Sequence, residues 1–210
     1  MNEICILDYG MGNIKSLNNA IHKIGHKTNF FSESSEICST FLIIPGVGAF
    51  NSAIEIFRKK FIDIKIKKFL EKKGNFLLGI CLGKQLLYSM SKENGLNSGL
   101  NLIKGEVELL STNNDNKLPH VGWKNIKLKK TLNFKFLNTF ENEKFYFTHS
   151  YVGIPASEKN ILATTNYANK DFCSIVTNSK NLIGVQFHPE KSANVGLEFL
   201  NLIIKNFHNK

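Results

Sequence analysis

The sequence predicts an α/β fold with an open, mostly parallel sheet flanked by helices and an antiparallel or mixed extension in its second half. In the first half, short apolar runs alternate with amphipathic helical patterns, which is typical of parallel β-α units. From Leu102 onward the runs are shorter and separated by Asn-rich turns, which favours antiparallel pairing. The 210 residues suffice for one ordinary domain. No linker or repeat divides them, so residues 1–210 are predicted to form a single domain.

Each predicted element of the first half has a local reason. Buried-type apolar runs predict strands at 3–7, 27–31, 40–44 and 75–80. Amphipathic periodicity predicts helices at 14–24, 52–60, 62–73 and 82–90. In the third of these helices, Ile62, Ile66, Phe69 and Leu70 form an apolar stripe with lysines opposite.

The second half is predicted to contain short strands and one final helix. The strands are placed at 107–110, 123–128, 144–148, 161–165, 173–176 and 182–186. Residues 193–207 are predicted to form an amphipathic helix, and residues 113–116 are predicted to form a polar loop.

The formal net charge of +10 does not by itself indicate nucleic-acid binding. The chain has 26 Lys but one Arg, Arg58, whereas nucleic-acid contacts favour the bidentate fork of Arg. The charge is concentrated in residues 58–73, with eight basic and two acidic side chains but no nucleic-acid-binding module. No apolar run reaches the roughly 18 residues of a membrane span, and no signal peptide is apparent. We therefore expect a cytoplasmic protein that binds neither nucleic acid nor membrane.

Of the four cysteines, Cys81 stands out. No pair has C-x-x-C spacing, so neither zinc nor disulfides are indicated, and no metal or cofactor is expected. Cys81 follows a buried strand in Gly79-Ile80-Cys81-Leu82-Gly83, the cysteine version of a nucleophile elbow. A helix starting there favours thiolate, and the Leu82 N–H is available to an oxyanion. A buried structural cysteine is the alternative.

A nucleophilic thiol needs a base and a group that orients the base. His188 and Glu190, in Phe187-His188-Pro189-Glu190, are the candidates. Pro189 biases His188 towards extended backbone, and residues i and i+2 of an extended chain point to the same side. Glu190 is therefore expected beside the imidazole. A histidine at a strand end is otherwise often structural.

A third motif, Pro45-Gly46-Val47-Gly48, follows a predicted parallel strand. The carboxyl ends of such strands are where open α/β sheets bind ligands. Its backbone N–H groups are candidates for completing an oxyanion hole, although glycine-rich turns are also common for geometric reasons alone.

These motifs resemble the class I, triad-type glutamine amidotransferases. The matching stretches are ILDYGMGNIKSL (6–17), IIPGVGAF (43–50), GICLGKQLL (79–87), LPHVGWK (118–124), FYFTHSY (145–151) and GVQFHPEKS (184–192). The Cys elbow and His-Pro-Glu are shared by all triad amidotransferases. The P-G-V-G strand, the H-x-G-W motif and the F-Y-F-x-H-S-Y motif narrow the resemblance to the glutaminase subunit of imidazole glycerol phosphate synthase, the HisH-type family. The resemblance covers nearly the whole chain.

The resemblance implies that Cys81 attacks the carboxamide of glutamine, with His188 as proton shuttle and Glu190 orienting it. The oxyanion would be held by the amides of Val47 and Leu82. The substrate-binding positions are Gly48, Gln85, Ser150 and Tyr151. The released ammonia would pass to a (β/α)₈-barrel cyclase partner of histidine biosynthesis, in a heterodimer.

Trp123 matches an aromatic position near that partner, although an ordinary buried Trp is the alternative. Two residues depart from the family pattern, which usually has Met at Lys84 and Asn at Lys124. Lys84 lies one helical turn from Cys81, where a cation could depress the thiol pKa or meet a substrate carboxylate. The alternative is a surface lysine.

A second partner is possible, a synthetase that builds amidino sugars for surface polysaccharides. Lys124 and the H-V-G-W stretch are the residues that favour this alternative. Lys124 would then mark a different partner surface. A non-catalytic regulatory subunit is a third alternative, but it would not need Cys81, His188 and Glu190 together.

Overall fold

A computed structural model describes residues 3–32, 36–112, 117–129 and 134–207. Its main sheet has eight strands in the order β2-β1-β3-β4-β14-β13-β12-β9. The first five strands of this order are parallel to one another, and the last three add antiparallel pairs. The strands are β1 Ile4–Leu7, β2 Thr28–Phe31, β3 Phe41–Ile44, β4 Phe76–Ile80, β9 Lys127–Leu128, β12 Ile161–Tyr167, β13 Lys170–Thr177 and β14 Leu182–Val185.

Helices cover both faces of the parallel part. They are α1 Ile14–Lys23, α2 Phe50–Lys59, α3 Ile62–Glu71, α4 Leu82–Leu86 and α5 Ala193–Phe207. In β1, Ile4 and Ile6 pack with α1 and α5, whereas Cys5 and Leu7 pack with α2 and α3. Each strand therefore contributes alternate side chains to two apolar cores, one on each face of the sheet.

The second half adds two smaller sheets. One pairs β8 (His120–Asn125) with β10 (Lys144–His149) in antiparallel fashion. The other has the order β11-β7-β5-β6 and contains both parallel and antiparallel pairs. Its strands are β5 Tyr88–Ser91, β6 Asn97–Ser98, β7 Ile103–Leu109 and β11 Tyr151–Pro155. The predicted fold class is confirmed.

Some predicted bounds were wrong. The helix predicted at 82–90 ends at Leu86, because Tyr88–Ser91 pairs with β7 as strand β5. The strand predicted at 123–128 is two strands, β8 and β9, which belong to different sheets. Strand β11 was not predicted, since Gly153 and Pro155 interrupt its apolar pattern. The polar loop predicted at 113–116 lies outside the described residues.

The concentrated positive charge lies on an amphipathic helix pair, as predicted. In α3, Ile62, Ile66 and Phe69 are buried, while Lys67 and Lys68 are exposed. No helix among the described residues is long and apolar enough to cross a membrane.

Candidate active site

Cys81 lies at a strained turn between β4 and α4. Its φ of 53° and ψ of −109° lie outside the usual regions for an L-residue, which costs of the order of 1–3 kcal/mol. Its N–H donates to the carbonyl of Val185, which fixes the turn against β14. Leu82 is the first helical residue, so its N–H has no partner within the helix. The turn agrees with the predicted elbow, although the helix behind it has only five residues.

The two glycines that flank Cys81 allow close backbone packing. A Cβ atom on Gly79 would lie 2.9 Å from the carbonyl oxygen of Gly83. In the neighbouring P-G-V-G segment, a Cβ on Gly46 would lie 2.4 Å from the Tyr9 hydroxyl and 3.0 Å from Leu82 Cβ. The same Cβ on Gly46 would lie 3.2 Å from the Gly83 backbone nitrogen, so the elbow and the segment after β3 approach each other closely, which a larger residue at position 46 would prevent.

His188 and Glu190 meet beside the elbow. His188 Nδ1 lies 2.8 Å from Glu190 Oε1, and both side chains are nearly inaccessible to solvent. The His188 backbone is extended, as Pro189 predicts, and its N–H donates to the Tyr146 carbonyl. Glu190 reaches the imidazole from a 3₁₀ turn over Pro189–Lys191 and not from an extended chain as predicted.

Charge coupling links His188 to the cysteine. Burial acts to lower the pKa of His188, but the Cys81 thiolate and the Glu190 carboxylate outweigh it and raise the pKa to about 10. His188 Nε2 has no hydrogen-bonding nitrogen or oxygen partner in the described part of the chain. A protonated imidazole, held between the Cys81 sulfur and the Glu190 carboxylate, is therefore the favoured charge state of His188.

A cleft of about 440 Å³ opens in front of the thiol, a volume suited to a small-molecule ligand. The structure brings seven sequence-predicted residues together on its wall: Val47, Gly48, Cys81, Leu82, Gln85, Ser150 and Tyr151. Gln85 Nε2 donates to the Tyr151 carbonyl at 2.9 Å, which leaves Gln85 Oε1 as an acceptor for a ligand.

Lys84 is neither a surface lysine nor a residue of the cleft that would meet a substrate carboxylate. It is fully buried, so the surface-lysine alternative is wrong. Its Nζ donates to the Cys173 carbonyl and to Gln186 Oε1, and it does not line the cleft that holds Cys81. It therefore does not meet a substrate carboxylate there.

Trp123 and Lys124 lie on the exposed part of β8. Trp123 is 47% exposed, so the ordinary buried Trp is excluded. Its ring meets Tyr146 edge-on, while the Lys124 ammonium lies 5.9 Å from the centre of the Tyr167 ring. Val121, 57% exposed and two residues before Trp123, extends the apolar surface.

Sequence reasoning missed several residues that surround the thiol. Tyr9 donates its hydroxyl to the Pro45 carbonyl and so supports the P-G-V-G segment. Glu93 lines the cleft and accepts the Phe50 N–H, and burial raises its pKa. Gln186 Nε2 lies 3.9 Å from Cys81 Sγ. Of these residues, only Gln186 could have been identified from the sequence. It lies two residues before His188, and residues i and i+2 of an extended chain point to the same side.

Two buried histidines form a relay behind the cleft wall. His120 Nδ1 lies 3.2 Å from His149 Nε2, and His149 Nδ1 lies 3.0 Å from the Tyr151 carbonyl. This arrangement suits two neutral rings, with His120 donating to His149 and His149 donating to Tyr151. Burial lowers the pKa of His120 to about 4, and burial together with neighbouring positive groups lowers that of His149 to about 3.

Comparisons with solved structures agree with this fold. The chain matches a structure of PurLQS from Thermotoga maritima with a TM-score of 0.72, covering 98% of this chain and 100% of that chain at 16% identity. It also matches the glutaminase domain of Trypanosoma brucei CTPS, with a TM-score of 0.64, covering 98% of this chain and 94% of that one at 16% identity. At such low identity these likenesses establish the fold alone.

Sequence comparison identifies the family, which the likeness in fold does not. Residues 5–206 match the model of glutamine amidotransferase class-I. The imidazole glycerol phosphate synthase subunit HisH 2 of Methanococcus maripaludis is 43% identical, over 96% of this chain and 98% of the relative. The HisH subunit of Chlorobaculum tepidum is 38% identical, over 97% and 98%. The HisH subunit of Methanosarcina barkeri is 43% identical, over 99% and 98%. The chain therefore belongs to the class-I glutamine amidotransferases, as a glutaminase subunit of the HisH type.

Proposed function

We propose that Cys81, His188 and Glu190 act as a catalytic triad that hydrolyses glutamine to glutamate and ammonia. The observation that carries this proposal is the Cys81 elbow facing a 440 Å³ cleft, with His188 and its 2.8 Å partner Glu190 behind it. In the first step the Cys81 thiolate attacks the side-chain carboxamide carbon of glutamine. The carbonyl oxygen becomes an oxyanion, held by the amides of Leu82 and Val47.

His188 then transfers its proton to the leaving nitrogen, so the C–N bond breaks and ammonia leaves a glutamyl thioester on Cys81. Neutral His188 next takes a proton from water, whose oxygen attacks the thioester carbon. Glutamate departs and the thiolate–imidazolium pair is restored. Glu190 holds the imidazole in one orientation and stabilises its positive charge throughout.

The amino-acid end of glutamine fits the remaining lining groups. Its carboxylate would be bound by backbone donors at Gly48, Ser150 and Tyr151. Its ammonium would meet Gln85 Oε1 and the Glu93 carboxylate, which is the acidic side chain among the described residues that line the cleft. Substrates without an α-amino group would lose these contacts.

Cys81→Ala tests the nucleophile directly. We expect ammonia release to fall to background, measured as glutamate and ammonia formed with the partner present. Cys38→Ala, which removes an exposed cysteine, is the matched control and should keep full activity. Ammonia release by Cys81→Ala at the wild-type rate would refute the triad.

We further propose that the ammonia serves a cyclase subunit, which completes an imidazole glycerol phosphate synthase of histidine biosynthesis. The names of the HisH relatives support this partner over a sugar-modifying synthetase. The family resemblance adds that this cyclase is a (β/α)₈ barrel and that its ligand triggers hydrolysis. The isolated chain should therefore hydrolyse glutamine slowly.

Val121 and Trp123 form an exposed apolar pair on β8 that suits a protein interface. We expect Trp123→Ala to weaken association with the cyclase about tenfold or more while leaving thermal stability unchanged. Phe30→Ala, which removes another half-exposed aromatic on edge strand β2, is the control. Equal affinity of both variants for the cyclase would remove Trp123 from the interface.

A further inference from the structure

Lys84 is a buried cation without a carboxylate partner. Its side chain is fully inaccessible, and none of the described carboxylates forms an ion pair with it. Its Nζ donates to the Cys173 carbonyl at 2.7 Å and to Gln186 Oε1 at 3.3 Å, and the Tyr88 ring lies 5.8 Å away. These are neutral acceptors. A buried ammonium normally requires an anion, so an anion is expected nearby.

The space for this lysine comes from a glycine. A Cβ atom on Gly184 in β14 would lie 2.8 Å from Lys84 Cγ. The aliphatic part of the Lys84 side chain therefore packs directly against the backbone of Gly184.

Gln186 connects the ammonium to the nucleophile. Its side chain is fully buried, its Oε1 accepts from Lys84, and its Nε2 lies 3.9 Å from Cys81 Sγ. Because the ammonium can only donate, it holds the amide with oxygen towards Lys84 and N–H towards sulfur. The amide dipole thus presents its positive end to the thiol.

The charges around Cys81 come from several elements. His188, backed by Glu190, carries one positive charge beside the sulfur. Burial lowers the pKa of His149, which keeps that imidazole neutral, and raises the pKa of Tyr9, which keeps that hydroxyl protonated. Helix α4 has only five residues, so its dipole is small. Burial also lowers the pKa of Lys84, and the Cys173 and Cys81 thiols oppose that shift.

We infer that Lys84 is a positioning residue that stabilises the Cys81 thiolate as a second buried cation, acting through the oriented amide of Gln186. This inference rests on the proposed role of Cys81 as nucleophile. It assigns the thiolate the Lys84–Gln186 pair as a source of positive charge in addition to His188. Two further charged residues, Lys191 and Glu93, line the cleft in front of the sulfur. A chain with an uncharged residue at position 84 would have a less acidic thiol.

The test is the pH dependence of Cys81 alkylation by iodoacetamide, followed by mass spectrometry on the peptide that contains Cys81. Peptide-level detection separates it from the exposed Cys38. Lys84→Met keeps an unbranched side chain, one atom shorter, and removes the charge. We expect the alkylation midpoint to move up by about one pH unit, with alkylation about tenfold slower below the midpoint. Lys67→Met, on the exposed face of α3, should leave the midpoint unchanged.

Gln186→Leu is the second variant, in case Lys84→Met does not fold. It removes the amide that connects Lys84 to the sulfur and adds no charge, so it should also raise the midpoint. An unchanged midpoint in either folded variant would overturn the inference. Failure of the triad would show differently, as ammonia release by Cys81→Ala. Alkylation reports the thiolate whether or not glutamine is hydrolysed, so the two results are independent.

Discussion

Gly83 lies against the last residue of β3, Ile44, so closely that a Cβ atom on Gly83 would stand 1.9 Å from the Ile44 carbonyl oxygen. This contact joins the nucleophile turn to the strand that leads into the P-G-V-G segment. The distance between the thiol and the proposed oxyanion donor at Val47 thus depends on the absence of one side chain. Glycine is required here by the close approach of two backbones.

Gly83→Ala should therefore damage both stability and activity. We expect a loss of more than about 2 kcal/mol in the free energy of unfolding, because the added methyl must displace the backbone of β3. Urea denaturation measures this loss. Gly12→Ala is the control, since its Cβ would meet Pro45 at an ordinary 3.5 Å. Equal stability of the two variants would mean that the backbone of β3 at Ile44 can move to accommodate the methyl group at little cost in free energy.

Glu190→Gln should separate the charge of Glu190 from its geometry. The amide keeps an oxygen for His188 Nδ1–H but removes the negative charge that raises the pKa of His188. We expect kcat to fall by about a hundredfold or more, since the imidazolium loses its buried counter-ion.

Partner-stimulated glutamate formation measures the effect of Glu190→Gln, with Glu198→Gln on the exposed face of α5 as control. A kcat within threefold of wild type would show that Glu190 orients His188 without electrostatic help.

Gln85→Leu should weaken substrate binding more than catalysis. The substitution removes the acceptor Oε1 from the cleft wall and the hydrogen bond from Nε2 to the Tyr151 carbonyl. We expect KM for glutamine to rise about tenfold or more, the usual loss for a hydrogen bond to a charged group, with a small change in kcat. Steady-state kinetics with the cyclase present give both constants. A large fall in kcat at constant KM would place Gln85 in the chemical step.

The buried histidine pair should make the fold sensitive to acid. The unfolded chain takes up protons at histidine below about pH 6.5, whereas His120 stays neutral in the folded chain down to about pH 4 and His149 to about pH 3. The unfolded state therefore binds more protons in this window. The stability contributed by His120 and His149 is complete above pH 6.5 and falls as the pH decreases, by about 1.4 kcal/mol per pH unit for each histidine.

His120→Phe should reduce the slope of the free energy of unfolding against pH by the equivalent of about one bound proton. Phenylalanine fits the same aromatic environment beside Phe147 and Tyr167 but does not titrate. Urea unfolding at several pH values between 5 and 8 measures it. His22→Gln, on the exposed side of α1, is the control for a histidine outside this buried pair. A His120→Phe slope equal to wild type would place the acid sensitivity elsewhere.

Much of the candidate site could be predicted from local sequence, because its turns are set by adjacent residues. Gly79 and Gly83 specify the elbow around Cys81, and Pro189 sets the extended backbone of His188. The helix after the elbow could not be bounded in this way. Residues 87–90 suit a helix by periodicity, but Tyr88–Ser91 pairs with β7 and becomes a strand. Pairing with a distant strand overrode the local preference.

The sequence by itself determined the α/β class, the family and the candidate site residues, because each depends on short motifs and local periodicity. The tertiary structure alone decided the environment of Lys84. Its two acceptors, the Cys173 carbonyl and Gln186, lie 89 and 102 residues further along the chain. In a lysine-rich sequence, a lysine side chain is predicted to be exposed to solvent. Only the packing of β13 and β14 against α4 turns it inward, where its ammonium group contacts the Cys173 carbonyl and Gln186 and not water.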